Sequence, residues 1–221
     1  MSAFDLIIFD MDGTLYDIRD LSEAGFYLGV DFLVEKHNYN KEEAIKLLND
    51  NSIFSYFSKK AKSTTQLFAS MGFDIEEWND FRSIRFPFKL INKNNAINEE
   101  VLSSFSQICK IVLLTNNTNE NVDNVLNHIG ISKNTFYKIY LNCSNKKELS
   151  KRNLMLEAIN DNNVEPSKVL SIGDRYNVDG LPLLELGGKA IIIDNPKGLK
   201  EILKDYPNFK DNDDYKYYEG I

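Results

Sequence analysis

The segment LIIFDMDGTLYD, Leu6 to Asp17, runs an apolar stretch directly into two carboxylates, Asp10 and Asp12. Gly13 and Thr14 follow, two residues that favour a turn. Two other apolar stretches end in a comparable way. IVLLT (111–115) closes on Thr115 and is followed by Asn116. VLSIG (169–173) leads into Asp174, with Asp179 across the next turn. Ligands of open α/β sheets bind beyond the carboxyl ends of the strands. If these stretches are neighbouring strands, they bring four carboxylates, a hydroxyl and an amide to one sheet edge. Carboxylates so crowded repel one another and raise their own pKa values unless a cation intervenes. A ligand set made only of oxygen suits Mg²⁺, which takes one or two carboxylates, waters and phosphate oxygens.

The elements that must position these residues can be read from the apolar pattern. LIIF (6–9), IVLLT (111–115), KIYL (138–141), VLSIG (169–173) and AIIID (190–194) are short, continuous apolar runs, as expected of strands buried on both faces of a parallel sheet. Helical spacing lies between them. Val122, Val125, Leu126 and Ile129 form one stripe ending at Gly130. Leu154, Met155, Ala158 and Ile159 form another, with Ser150 available as its N-cap. A third, short helix ends at Gly187 and Gly188, with Pro182 in its first turn. Alternating strand and helix predicts an α/β fold with a Rossmann-like parallel sheet. Residues 18–95 break the rhythm, having no convincing strand and two capping patterns, Asn40 with Glu43 and Asp74 with Glu77. The expected organisation is therefore a core of residues 1–17 and 96–221 carrying an inserted all-helical domain, 18–95, which returns through the polar stretch 92–98. The acidic, aromatic stretch NFKDNDDYKYYEG (208–220) reads as a surface tail whose tyrosines pack back onto the core.

The chain has 221 residues, 43% hydrophobic and 27% charged, with a formal charge of −7. That balance argues against a general nucleic-acid or anionic-membrane surface. Its two cysteines, Cys109 and Cys143, form no CxxC pair, and the absence of a disulfide or zinc framework makes a reducing cytoplasm the expectation. No apolar run approaches the ~20 residues of a membrane span, and MSAFD lacks the character of a signal peptide.

DMDGTLY resembles the DxDGT signature of the haloacid dehalogenase superfamily of phosphohydrolases. Thr115 in LLTNN resembles the second motif of that superfamily, and GDRYNVD (173–179) its fourth. The third motif is a lysine ahead of a helix, for which Lys146, Lys147 and Lys151 are candidates. Lys151, 23 residues before Asp174 at the opening of an apolar helix, matches the phosphoserine-phosphatase-like branch, and Lys147 is the reserve. The resemblance implies a phosphatase acting on a small phosphorylated metabolite. Asp10 would be the nucleophile that forms an aspartyl-phosphate, and Asp12 would protonate the leaving alcohol and later deprotonate the attacking water. Mg²⁺ would be held by Asp10, the main-chain carbonyl of Asp12 and Asp174, with Asp179 orienting metal-bound water or Lys151 from behind. Thr115, the N–H of Asn116 and Lys151 would hold the phosphoryl oxygens. The helical insertion would be the cap, closing over the site. Dehalogenase and phosphonatase branches lack a carboxylate at the position of Asp12, so its presence favours ester chemistry. A phosphosugar mutase would retain it and stays open, as does an idle interaction protein on the same fold. The expected molecule is a monomer or small homo-oligomer.

Other residues are given ordinary roles. His37 and His128 lie on expected helices away from strand ends, and the cysteines read as buried small apolar residues. SYFSKKAK (55–62) and FRSIRFPFK (81–89) mix cations with aromatics and could face a leaving group, although solvated helix faces are the simpler account.

Overall fold

The residues 6–9 form a strand, β1 (Leu6–Phe9), in which every side chain is buried. It is flanked on one side by β2 (Lys110–Thr115) and β3 (Lys138–Leu141), and on the other by β4 (Val169–Gly173), β5 (Lys189–Ile193) and β6 (Tyr215–Glu219). This is a computed structural model, and it describes residues 3–50, 64–141 and 151–220. The sheet order is β3-β2-β1-β4-β5-β6, with the first five strands parallel and β6 antiparallel to β5. Order reverses on either side of β1, which makes its carboxyl end the switch point where such sheets bind ligands.

The strand alternation sends side chains to two separate cores. Ile7 and Phe9 join Leu113, Ile172 and Ile191 on one face, against α5 (Glu99–Ile108), α6 (Asn119–Ile129) and α9 (Gly198–Asp205). Leu6 and Ile8 join Val112, Leu114 and Val169 on the other, against Met155, Ala158 and Ile159 of α7 (Arg152–Asn162) and Leu183 of α8 (Leu181–Leu184). Val122, Val125, Leu126 and Ile129 are all buried, and Gly130 ends α6 at φ 76°. Pro182 falls in the first turn of α8 as the sequence predicts.

Between β1 and α5 the described residues form α1 (Ser22–His37), α2 (Lys41–Asp50), α3 (Thr64–Ser70) and α4 (Ile75–Arg85), followed by two 3₁₀ turns. These helices gather around their own apolar cluster, in which Phe32 meets Phe68, Trp78 and Phe81. The Asn40–Glu43 capping pair closes reciprocally, at 2.8 and 3.3 Å. Asp74 caps α4 by accepting from the Glu76 N–H at 2.9 Å. His37 packs on Phe32 and Phe73, and His128 Nε2 lies 3.0 Å from the Ile91 carbonyl oxygen. Cys109 is partly buried against the core rather than fully inside it. Cys143, Ser150, Lys146, Lys147 and the 55–62 stretch lie outside the described residues.

One expectation needs correction. Residues 215–219 are not a loose tail but the sixth strand, paired from Ile193↔Tyr215 to Lys189↔Glu219. The long polar run before it and its two charged positions hide a strand whose inward residue, Tyr215, is buried and donates to Asp205 at 2.6 Å. Tyr215→Ala should therefore cost about 3 kcal/mol in urea unfolding, the scale of a large aromatic deleted from a core. A loss below about 1 kcal/mol, the scale of a surface change, would contradict a structural role for the strand.

Candidate active site

Asp10 continues β1 by one residue, and its N–H donates to the Ile172 carbonyl at 2.9 Å. The ladder thus fixes the first carboxylate rigidly at the strand end. The chain then turns, with the Leu15 N–H donating to the Met11 carbonyl at 2.9 Å and Gly13 at φ 81°. A Cβ at Gly13 would overlap the Asp174 carboxylate as well as strain the backbone. Gly173 has the same character, since a Cβ there would overlap the side chain of Asp179. Both glycines let a carboxylate from one motif lie directly against the backbone of a strand end.

Asp179 reaches this position because residues 176–180 form a single π turn before α8. Such turns recur at functional sites. Its Oδ1 accepts from Lys151 Nζ at 2.7 Å and its Oδ2 from the Arg175 N–H at 2.9 Å. Ser171 Oγ donates to its main-chain carbonyl at 2.6 Å. Lys151, the residue just before α7, also donates to Asp10 Oδ1 at 2.5 Å. The ammonium is buried, 1% exposed, between two buried carboxylates.

Carboxylate oxygens of Asp10, Asp174 and Asp179 lie within 4.8 Å of one another. Burial, then the charge of Asp179, pushes the Asp10 carboxyl up to about 7 against the pull of Lys151. Burial also raises Asp174 well above the ordinary carboxylate range, although Arg175 opposes it. Burial acts upward on Asp179 too, but Lys151 and then Arg175 outweigh it and hold that carboxyl low. The Lys151 ammonium is lowered by burial and raised more by Asp10 and Asp179, so it stays charged.

This charge arrangement fits a divalent cation. Among the described residues Asp10 Oδ2 and Asp174 Oδ1 are buried without a hydrogen-bond partner, with Arg175 Nε 3.6 Å from the latter. Both oxygens of Asp179 are already engaged. The unsatisfied oxygens therefore belong to Asp10 and Asp174, and hard oxygen donors of this kind suit Mg²⁺.

Asp12 stands apart from the cluster. Its Oδ1 accepts from the Tyr16 hydroxyl at 2.5 Å and its Oδ2 from Asn117 Nδ2 at 2.7 Å. Thr115, fully buried at the end of β2, accepts at Oγ1 from both the N–H and the Nδ2 of Asn117, each at 3.2 Å. Asn116 is half-buried, and its carbonyl accepts from Arg82 of α4 at 3.0 Å. The sequence-predicted residues thus gather in two linked groups. One is Asp10, Lys151, Asp174 and Asp179; the other is Asp12 with Thr115. Sequence reasoning missed the roles of Asn117, Tyr16 and Arg175. Tyr16 carried a signal, lying four residues after Asp12 across a tight turn. Asn117 carried none beyond its neighbours.

The sequence matches the family described as haloacid dehalogenase-like hydrolase over residues 7–179. A comparison with curated protein sequences found no match. Solved structures with the same fold include a HAD phosphatase from Thermococcus onnurineus, 18% identical, TM-score 0.54, covering 87% of this chain and 86% of that one. A 2-haloacid dehalogenase from Pseudomonas syringae pv. Tomato DC3000 is 16% identical, TM-score 0.54, covering 92% and 99%. The Bacillus subtilis HAD-hydrolase YfnB, solved bound to magnesium, is 14% identical, TM-score 0.55, covering 91% and 99%. At such identities these likenesses concern the fold, and their activities differ. The family match, in contrast, runs from β1 through Asp179 and takes in every residue of the acidic cluster, so the chain belongs to the haloacid dehalogenase-like hydrolases.

Proposed function

We propose that this hydrolase is a Mg²⁺-dependent phosphatase that cleaves the phosphate monoester of a small metabolite, such as a nucleotide, a sugar phosphate or phosphoglycolate. One observation carries the reading: Asp10 and Asp12 leave the same strand end with different partners. Asp10 is bonded to a buried ammonium. Asp12 is held by two neutral donors. Two carboxylates in unlike settings can divide nucleophilic and proton-transfer work. A departing halide needs no proton, so a carboxylate held at Asp12 favours an ester over a haloacid.

In this reading Asp10 attacks phosphorus and forms an aspartyl-phosphate, while the ester oxygen departs with a proton from Asp12. Water then attacks phosphorus and gives a proton to Asp12, releasing inorganic phosphate and restoring the Asp10 carboxylate. Thr115 accepts two N–H bonds at Oγ1, so its own proton is left to donate to a phosphoryl oxygen. The Asn116 N–H would donate to a second. Lys151 stabilises the Asp10 carboxylate beforehand and negative charge on the phosphoryl group afterwards. Asp10, the Asp12 main-chain carbonyl and Asp174 would hold Mg²⁺, which supplies the positive charge that lets an anionic ester approach a carboxylate. Asp179 would orient Lys151. The helical unit, residues 18–95, would act as the cap that excludes water and selects the leaving group.

Phosphate release from a panel of monoesters should require Mg²⁺, and Asp10→Asn should cut kcat by more than about 10³-fold. Chloride release from a 2-chloroacid without phosphate release, or isomerisation of a sugar phosphate without net release, would overturn the phosphatase reading. Lys151→Ala should lower kcat by ~10² or more, the scale of an oxyanion-stabilising donor, whereas Lys147→Ala should leave it nearly unchanged. The reverse result would move the motif lysine.

The pH dependence of cation binding follows from the raised Asp10 pKa. Its folded-state value, about 7, exceeds the ordinary aspartate value of 3.8. The folded state therefore binds more protons than the unfolded one between these values, and this group's contribution to stability falls as pH rises through them. A cation offsets that loss and competes with the proton. Mg²⁺ should raise Tm by roughly 3 °C or more at pH 8 and by under about 1 °C at pH 5. Asp174→Asn should abolish the difference, and an equal shift at both pH values would contradict the assigned ligands.

A further inference from the structure

We propose that Tyr16 and Asn117 form a two-sided clamp that positions Asp12 for proton transfer, a role that rests on the phosphatase reading above. Neither residue belongs to the acidic cluster, and both are fully buried. Their placement follows from two different turns. The tight turn at Gly13 brings the chain back so that Tyr16 makes an isolated bridge with Asp12, and its hydroxyl meets Asp12 Oδ1 at 2.5 Å. At the end of β2 the chain turns into α6, capped by Thr118, and Asn117 meets Asp12 Oδ2 at 2.7 Å from the opposite side.

The two donors differ in a way that matters for the chemistry. A phenol can donate or accept, whereas the amide nitrogen of Asn117 can only donate. Oδ2 is therefore held as an acceptor whether Asp12 is protonated or not. The proton that Asp12 carries sits on Oδ1. That oxygen has two lone-pair positions, one for the Tyr16 hydroxyl and one for the proton passed to the leaving oxygen as the P–O bond breaks. In the second half-reaction the proton from water returns to the same oxygen. Asn117 also binds Thr115 Oγ1 through two N–H groups, so one side chain ties the acid of the first motif to the phosphate-binding hydroxyl of the second. A shift of Asp12 relative to the phosphoryl group would have to move both.

The clamp acts through Asp12, so its loss should be felt where protonation of the leaving group matters. An alkyl ester needs that proton, while p-nitrophenolate departs readily without it. The experiment compares glycerol 2-phosphate and p-nitrophenyl phosphate as substrates for the full-length wild type, Tyr16→Phe and Asn117→Ala. Tyr16→Phe keeps the buried ring and removes only the hydroxyl. Asn117→Ala removes the opposite donor, so misfolding of either variant, detected by circular dichroism, leaves the other to decide. Each folded variant should lose kcat/KM on the alkyl ester about tenfold more than on the aryl ester, a part of the 10²–10⁴-fold typical of general acid catalysis. The selective loss should fall in kcat rather than KM. Equal losses on both esters, with an active wild type, would overturn the clamp and leave the phosphatase reading standing. A wild type inactive on both esters and on the monoester panel would overturn the two together.

Discussion

Negative charge crowded at one strand end is the constraint on which the rest of this structure depends. Asp10, Asp174 and Asp179 bring carboxylate oxygens within 4.8 Å of one another, and burial strips most of the water that would screen them. Lys151 answers part of that charge by bonding Asp10 and Asp179 together. Removing one partner of so buried a network typically costs about 3–5 kcal/mol, because the remaining charges are left uncompensated. The lysine alone does not satisfy the site. Among the described residues Asp10 Oδ2 and Asp174 Oδ1 keep no hydrogen-bond partner, and burial raises the pKa of both residues. A divalent cation would complete what the chain leaves unbalanced.

The fold supplies rigidity where that imbalance would otherwise relax. β1 lies at the centre of the sheet and is buried along its whole length, so Asp10 cannot retreat from its neighbours. Gly13 and Gly173 remove the two Cβ atoms that would keep Asp174 and Asp179 away. The π turn at 176–180 swings Asp179 back under Gly173, where its two oxygens bind Lys151 and the Arg175 N–H. Asp12, two residues from Asp10, is removed from this cluster and given neutral donors instead. The helices α1 to α4 have their own aromatic core, and Arg82 of α4 reaches the Asn116 carbonyl beside Thr115.

Much of this was legible in the sequence, for physical reasons that also mark the limits. Strands buried on both faces are continuous apolar runs, so β1 to β5 were read to within a residue at their ends. Strand-end carboxylates and the lysine ahead of α7 follow from where open sheets place ligands and from the motifs. β6 was not legible, because an antiparallel edge strand with Lys216 and Glu219 exposed looks like a polar tail. Asn117 was missed because an asparagine among asparagines carries no periodic signal, and its partners come from two distant motifs. Tyr16 lay beside the first motif, yet only the tight turn at Gly13 shows that its hydroxyl reaches Asp12. No helix among the described residues is long and apolar enough to cross a membrane.

The central claim is that Asp10, held bare by Lys151 and a cation, accepts the phosphoryl group itself. Its most direct test is mass spectrometry of the protein quenched in acid during turnover of a reactive phosphate ester with Mg²⁺. The expected result is one added phosphoryl group on the peptide carrying Asp10, lost on treatment with hydroxylamine as an acyl phosphate should be. Steady phosphate release with no label on that peptide, or a label on a different residue, would contradict the account.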